Sequence, residues 1–116
     1  EKTPSKLICV SNPIHPQKQK VIVLNKEEIV IGSDDRYVTH ILTHPSISEK
    51  HARIFQDQNG QWIIADCNSL AGTWLNYSPV NDHGAHLRDG DLIQLGQEVF
   101  QFEQATYTRI GTKETD

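Results

Sequence analysis

Apolar residues in this chain recur with a period of two, in short runs that turn-forming pairs interrupt before any run grows long. KLICV (6–10), KVIVL (20–24), EIVIG (28–32), HARIF (51–55), QWIIAD (61–66), TWLN (73–76), DLIQLG (91–96) and EVFQFE (98–103) all carry this pattern. Between them stand Asn12-Pro13, Asn25-Lys26, Asn59-Gly60, Ser78-Pro79, Asp89-Gly90 and Gly96-Gln97. Strict alternation puts one face of a strand on a core and the other in water, and Asn-Gly is the strongest short hairpin signal. No stretch of roughly 10 to 12 residues follows the helical i, i+3, i+4, i+7 spacing. The pattern predicts an all-β sandwich.

At 116 residues the chain has room for one domain with one core. The core is expected to draw on Ile22, Leu24, Ile29, Ile31, Ile54, Ile64, Leu75, Ile93, Leu95, Phe100 and Phe102, with the parity of each strand open by one residue. The domain is expected over 6–104, with 1–5 as a linker and 105–116 as a polar tail. The chain begins at Glu1 and contains no methionine, as expected of a piece of a longer protein.

Fifteen acidic against eleven basic side chains give a formal net charge of -4, which argues against a nucleic-acid grip. Any anion must be held locally. No run approaches the roughly 20 apolar residues of a membrane span, and EKTPSK lacks a signal-peptide core. A cytoplasmic domain without direct membrane insertion is therefore expected. Cys9 and Cys67 have no metal-type spacing and read as small apolar residues in or near strands.

Sandwich strands supply a frame and the loops at one end carry function. Gly32 to Lys50 and Cys67 to Gly72 are the long polar connections to inspect, with Tyr77 to Asp89 a further one. Ser48, His51 and Asp66 supply the residue types of a hydrolytic triad, but no nucleophile elbow or glycine-rich oxyanion loop accompanies the serine. His40 and His44 are four apart, and His83 and His86 three apart. That spacing gathers imidazoles only on a helix, and Ile41, Thr43 and Pro45 favour extended structure. No Walker or dinucleotide glycine loop is present, so no metal, cofactor or enzymatic activity is expected.

Four motifs in order then become informative. They are Ile31-Gly32, Ser48-Glu49-Lys50-His51-Ala52-Arg53-Ile54, the run from Asp66 through Ser69, Gly72 and Thr73 to Asn76, and the run from Leu87 through Gly90 and Asp91 to Gly96. Together they closely resemble the forkhead-associated (FHA) domain, over about residues 21–102. The resemblance implies an eleven-stranded β-sandwich of two twisted, mainly antiparallel sheets. It also implies a non-catalytic module whose loops at one end recognise phosphothreonine in a protein partner.

A phosphate with about -1.5 to -2 charge and three acceptor oxygens calls for a guanidinium or ammonium and several donors. The family normally places arginine directly after the first glycine, where this chain has Ser33. Arg36 is the candidate substitute. Ser48 matches the hydroxyl that donates to phosphate, whereas Glu49 replaces a usual Arg, Asn or Lys and would repel the anion. Lys50 can add charge. The resemblance gives His51 a structural role, tying loops together, and makes Gly32, Gly72 and Gly90 backbone-permissive turn positions.

Where family members commonly read Ser-Thr-Asn-Gly-Thr, this chain has Ser69-Leu70-Ala71-Gly72-Thr73, so two ligand-reading polar side chains are apolar. Thr73 and Asn76 read as the frame of that loop, and Asp91 completes the last motif. Three readings stay open: a phosphothreonine-dependent adaptor; a domain that binds a partner without phosphate or associates with itself through Leu70, Ala71 and Tyr77; and, remotely, an uncharacterised enzyme built around Ser48 and His51.

Overall fold

The computed structural model describes residues 2–11 and 20–107. The Asn12-Pro13 turn signal and the tail beyond residue 107 lie outside these. The described residues form thirteen strands: β1 (Lys2–Thr3), β2 (Lys6–Cys9), β3 (Val21–Val23), β4 (Glu28–Gly32), β5 (His40–Ile41), β6 (Ala52–Gln56), β7 (Trp62–Asp66), β8 (Thr73–Leu75), β9 (Ser78–Pro79), β10 (Ala85–His86), β11 (Leu92–Leu95), β12 (Glu98–Glu103) and β13 (Thr106–Tyr107). No helix among them is long and apolar enough to cross a membrane.

Two sheets hold eleven of these strands, in the orders β10-β7-β6-β4-β5 and β3-β2-β12-β11-β8-β9. Pairing is antiparallel except between β4 and β5, where Ile31 faces His40 and Gly32 faces Ile41 in parallel. The alternation read from the sequence sets the register. In β12, Glu98, Phe100 and Phe102 are buried while Val99, Gln101 and Glu103 are half-exposed. Facing sheets bury Leu7, Ile22, Leu24, Ile29, Ile31, Ile54, Ile64, Ile93, Leu95, Phe100 and Phe102 in one cluster. Each such side chain contributes about 1.5 to 3 kcal/mol of apolar transfer.

Of the expected core residues, Leu75 alone is only partly buried and packs on the cluster from its edge. Leu42 and Ile47 join the core from the loop between β5 and β6. That loop is thereby anchored from beneath, although it carries no strand period of its own.

The described ends of the chain lie side by side. Lys2 pairs with Tyr107 and Thr3 with Thr106, and the buried Ser5 accepts the Ala105 N–H at 2.8 Å. These bonds join the two segments to each other, and the Leu24 N–H donates to Ser5 O at 2.9 Å across the boundary expected at residue 5.

The Asn59-Gly60 cue does mark the hairpin between β6 and β7. Gly60 takes φ 78°, and the Asp57 carboxylate accepts the N–H groups of Asn59 and Gln61, each at 2.9 Å.

Candidate functional site

The end of β4, the start of β6, the end of β7 and the start of β8 bring three connections to one end of the sandwich. Backbone bonds then tie the connections to each other. Ser33 N–H donates to Ser48 O at 3.0 Å, Asp34 N–H to Glu49 O at 3.3 Å, and Cys67 N–H to His51 O at 2.9 Å.

His51 is fully buried at the centre of this arrangement. Its Nδ1 accepts the Ser48 backbone N–H at 3.1 Å, which leaves the ring proton on Nε2 to donate to Gly72 O at 2.8 Å. The Gly72 carbonyl uses its second lone pair on the Gly96 N–H at 3.1 Å. Gly96 belongs to the β11–β12 turn, whose Gln97 N–H is in turn held by Ser46 Oγ at 2.9 Å.

Gly32 occupies its position for a reason other than turn freedom. It lies in β4, and a Cβ there would collide with the Glu49 carbonyl and with Val38. It corrects the expectation of a turn glycine: what is required is close approach of two backbones. Gly72, by contrast, has φ 91°, and with Asn68 at φ 61° it reverses the chain between β7 and β8.

The loop from 67 to 72 is built around Asp66. Its Oδ1 accepts the Ser69 hydroxyl at 2.6 Å and the Thr73 hydroxyl at 2.7 Å, and its Oδ2 accepts the Ser69 N–H at 3.0 Å. Burial is the largest single influence on Asp66 and pushes its carboxyl up, but the bonds from Ser69 and Thr73 together outweigh it and hold the carboxyl below the usual range. Ser69 Oγ also accepts the Gly72 N–H at 3.0 Å. Ser69 is therefore spent inside the loop and offers no hydroxyl proton to a ligand, contrary to its place among the expected contact residues.

Ser48 differs. Its Oγ accepts the Leu70 N–H at 2.9 Å, so an acceptor site is filled while the hydroxyl proton keeps no acceptor among the described residues. Around it, Leu70 is 98% exposed, and Ala71, Glu49 and Lys50 are exposed. Among the described residues Lys50 has no ion-pair partner. Ser33 is exposed beside the Ser48 strand of backbone. Arg36, in the same turn as Ser33, is clamped to Asp34, with Nη2 to Oδ2 at 2.6 Å, and lies over the Tyr37 ring.

Asn76, Tyr77, Gly90 and Asp91 lie elsewhere. Thr73–Leu75 runs away from Gly72, putting Asn76 roughly 13 Å from it at strand rise. There Asn76 Nδ2 donates to Asp91 Oδ1 at 3.0 Å, Asp91 Oδ2 accepts the Arg88 N–H at 2.8 Å, and Asn76 Oδ1 accepts the Leu92 N–H at 2.9 Å. These residues fasten the opposite end of the sandwich. Asn76 is thus no part of the loop frame, and Tyr77 adds nothing apolar to the Leu70 end.

The residues of the hydrolytic triad are neighbours without triad bonds. Both His51 ring nitrogens are used on backbone groups, and the Asp66 oxygens serve Ser69 and Thr73. Burial also pushes the Cys67 thiol up, away from thiolate chemistry. His44 Nδ1 holds the Ser46 N–H at 3.1 Å and so pins the β5–β6 loop.

Comparison with known proteins agrees with this fold. The family model for the FHA domain matches residues 29–96. The E3 ubiquitin-protein ligase RNF8 of Homo sapiens is 39% identical over 71 residues, covering 59% of this chain and 14% of the ligase. A structure from a structural and functional analysis of phosphothreonine-dependent FHA domain interactions superposes with a TM-score of 0.72 at 25% identity, covering 88% of this chain and 97% of the other. The MEK1 FHA domain, solved in complex with a HOP1 phosphothreonine peptide, gives 0.68 at 26% identity, with 88% and 97% covered.

Proposed function

Because this chain belongs to the FHA domain family, we propose that the loops around Ser48 capture a protein partner through a threonine-phosphorylated segment. The observation that carries the reading is the Ser48 hydroxyl, which takes the Leu70 N–H as acceptor and keeps its own proton for a phosphate oxygen. The buried His51 holds Ser48 and Gly72 in fixed relation, so the donor is oriented before the ligand arrives. Lys50 supplies a positive charge, and Leu70 and Ala71 supply apolar contact to the peptide. The domain acts by binding and leaves catalysis to other parts of any longer protein. A cytoplasmic setting suits a domain whose Cys9 and Cys67 form no disulfide.

With Ser33 at the position of the family arginine, the affinity is modest. A charge-assisted hydrogen bond contributes roughly 1.5 to 3 kcal/mol, so its loss weakens binding by about 10- to 100-fold. An NMR titration with a pool of phosphothreonine peptides and the same pool unphosphorylated tests the reading. Saturable shifts at Ser48, Lys50 and Ala71 appear only with the phosphorylated pool; equal shifts with both pools refute phosphate dependence.

One observation favours a second reading, a phosphate-independent protein contact. Leu70 is 98% exposed at the loop crown, next to exposed Ala71 and the acidic Glu49, a combination that suits a protein surface better than an anion. On that reading Leu70→Asp abolishes partner binding while Ser48→Ala leaves it intact.

A further inference from the structure

The anion that Arg36 holds in this structure is its own neighbour. Asp34 Oδ1 accepts Arg36 Nε at 3.0 Å, while Oδ2 accepts Nε at 3.1 Å and Nη2 at 2.6 Å. A guanidinium edge laid along two oxygens is also how arginine grips phosphate. The Asp34 Oδ1 has a second task, accepting the Arg36 backbone N–H at 3.0 Å and so closing a local turn.

This turn is fastened to the loop of Ser48, the proposed hydrogen-bond donor to phosphate. Ser33 N–H meets Ser48 O and Asp34 N–H meets Glu49 O, and the Glu49 carboxylate is close enough to add to the field on Arg36. Arg53, by comparison, is committed to Glu28 at 3.1 Å and to the Phe55 ring. The Arg36 side chain is 70% exposed, so its bond to Asp34 is open to competition from solution.

We propose that the Asp34 carboxylate is a resident stand-in for phosphate: a bound phosphothreonine displaces it from the Arg36 guanidinium, and Arg36 then supplies the cation that Ser33 does not. The inference rests on the phosphothreonine reading above and adds to it the cation and the group that competes for it. Phosphate carries more charge than a carboxylate and more acceptor oxygens, which favours the exchange. The turn survives it, because the bond from the Arg36 backbone N–H to Oδ1 does not involve the guanidinium. The Arg36 side chain, chiefly through its hydrogen bonds, holds the Asp34 carboxyl down to about 2.

Asp34→Asn separates the two tasks of this residue. An asparagine oxygen still accepts the Arg36 N–H and keeps the turn, while the negative charge is gone. The wild-type domain, Asp34→Asn, Arg36→Gln, the double variant and Ser33→Arg are titrated by NMR with the phosphothreonine peptide pool. Asp34→Asn is expected to bind at least about threefold more tightly than wild type, and the gain is expected to vanish in the double variant. A gain of equal size without Arg36 reports only relieved repulsion and overturns the proposal. No gain while Ser33→Arg binds also overturns it and leaves the phosphothreonine reading standing. Absence of binding by every variant, Ser33→Arg included, removes both.

Discussion

The Nε2 of His51 lies 2.8 Å from the carbonyl oxygen of Gly72, and this one bond fastens together two of the loops that the domain offers to a ligand. Both ends of the bond are built by the sandwich: His51 immediately precedes β6, and Gly72 immediately precedes β8.

His51→Ala leaves a cavity in a fully buried site and strands the Ser48 N–H and one bond to the Gly72 carbonyl. Stability is expected to fall by about 3 kcal/mol, read from denaturant midpoints. A loss below about 1 kcal/mol would mean that the imidazole is not the tie between these loops.

The glycines are expected to rank by what surrounds them. Gly32→Ala drives a Cβ into the Glu49 carbonyl, a backbone group that cannot turn aside, and should cost about 3 kcal/mol. Gly90, at φ 89° with open space around it, should cost only the left-handed backbone penalty of about 1 to 2 kcal/mol. Melting curves of the two alanine variants check the order, and Gly90→Ala proving the more damaging would count against the close contact at Gly32.

Asp66 gives the domain a pH dependence with a defined sign. Its carboxyl lies below the ordinary 3.8 in the folded state, so the unfolded chain binds the proton first as pH falls. The stabilisation is complete above about pH 4 to 5, and is lost as the pH falls through 3.8 and on through the lower folded value. Asp66→Asn should be less stable at pH 7, because its amide cannot accept the Ser69 N–H and both hydroxyls together, and should show a flatter acid limb. Denaturant midpoints from pH 7 to pH 3 test this, and parallel curves for the two proteins would rule it out.

Tyr77 sits at φ 70° with its side chain 80% exposed, next to Asn76 at φ 48°, in the two-residue turn between β8 and β9. Such a hairpin turn wants positive φ at both centres, which glycine adopts without Cβ strain. Tyr77→Gly is expected to raise stability by about 0.5 to 1 kcal/mol after the entropy of glycine is counted. A lower melting temperature would show that the tyrosine ring makes up for its backbone.

The parts of this fold that were legible in the sequence are those that alternate. EIVIG and EVFQFE become β4 and β12 over their full length, because buried and less buried positions alternate all along β12 and along β4 as far as Ile31. Strands β5, β9 and β10 have two residues each, too few to show a period, and only neighbouring strands define them. Leu42 and Ile47 escaped for a related reason: they anchor a loop, where no periodicity reveals which side faces the core.

In the candidate site, the motif order names Ser48, His51 and Gly72, which hydrogen bonds join in the fold. It could not say that Ser69 turns inward to Asp66 or that Arg36 is held by Asp34, since both are matters of rotamer and distance. Asn76 stands close to Gly72 in sequence but at the other end of the sandwich, because the extended residues Thr73–Leu75 carry the chain away.

The most direct test of the account is calorimetry of wild type and Ser48→Ala against one peptide taken from the selected pool, in phosphothreonine and threonine forms. Wild type is expected to bind the phosphorylated form alone, with binding weakened roughly tenfold or more by Ser48→Ala and the melting temperature little changed. Equal affinity of wild type for both forms, or a Ser48→Ala domain that binds the phosphopeptide as tightly as wild type, would contradict it.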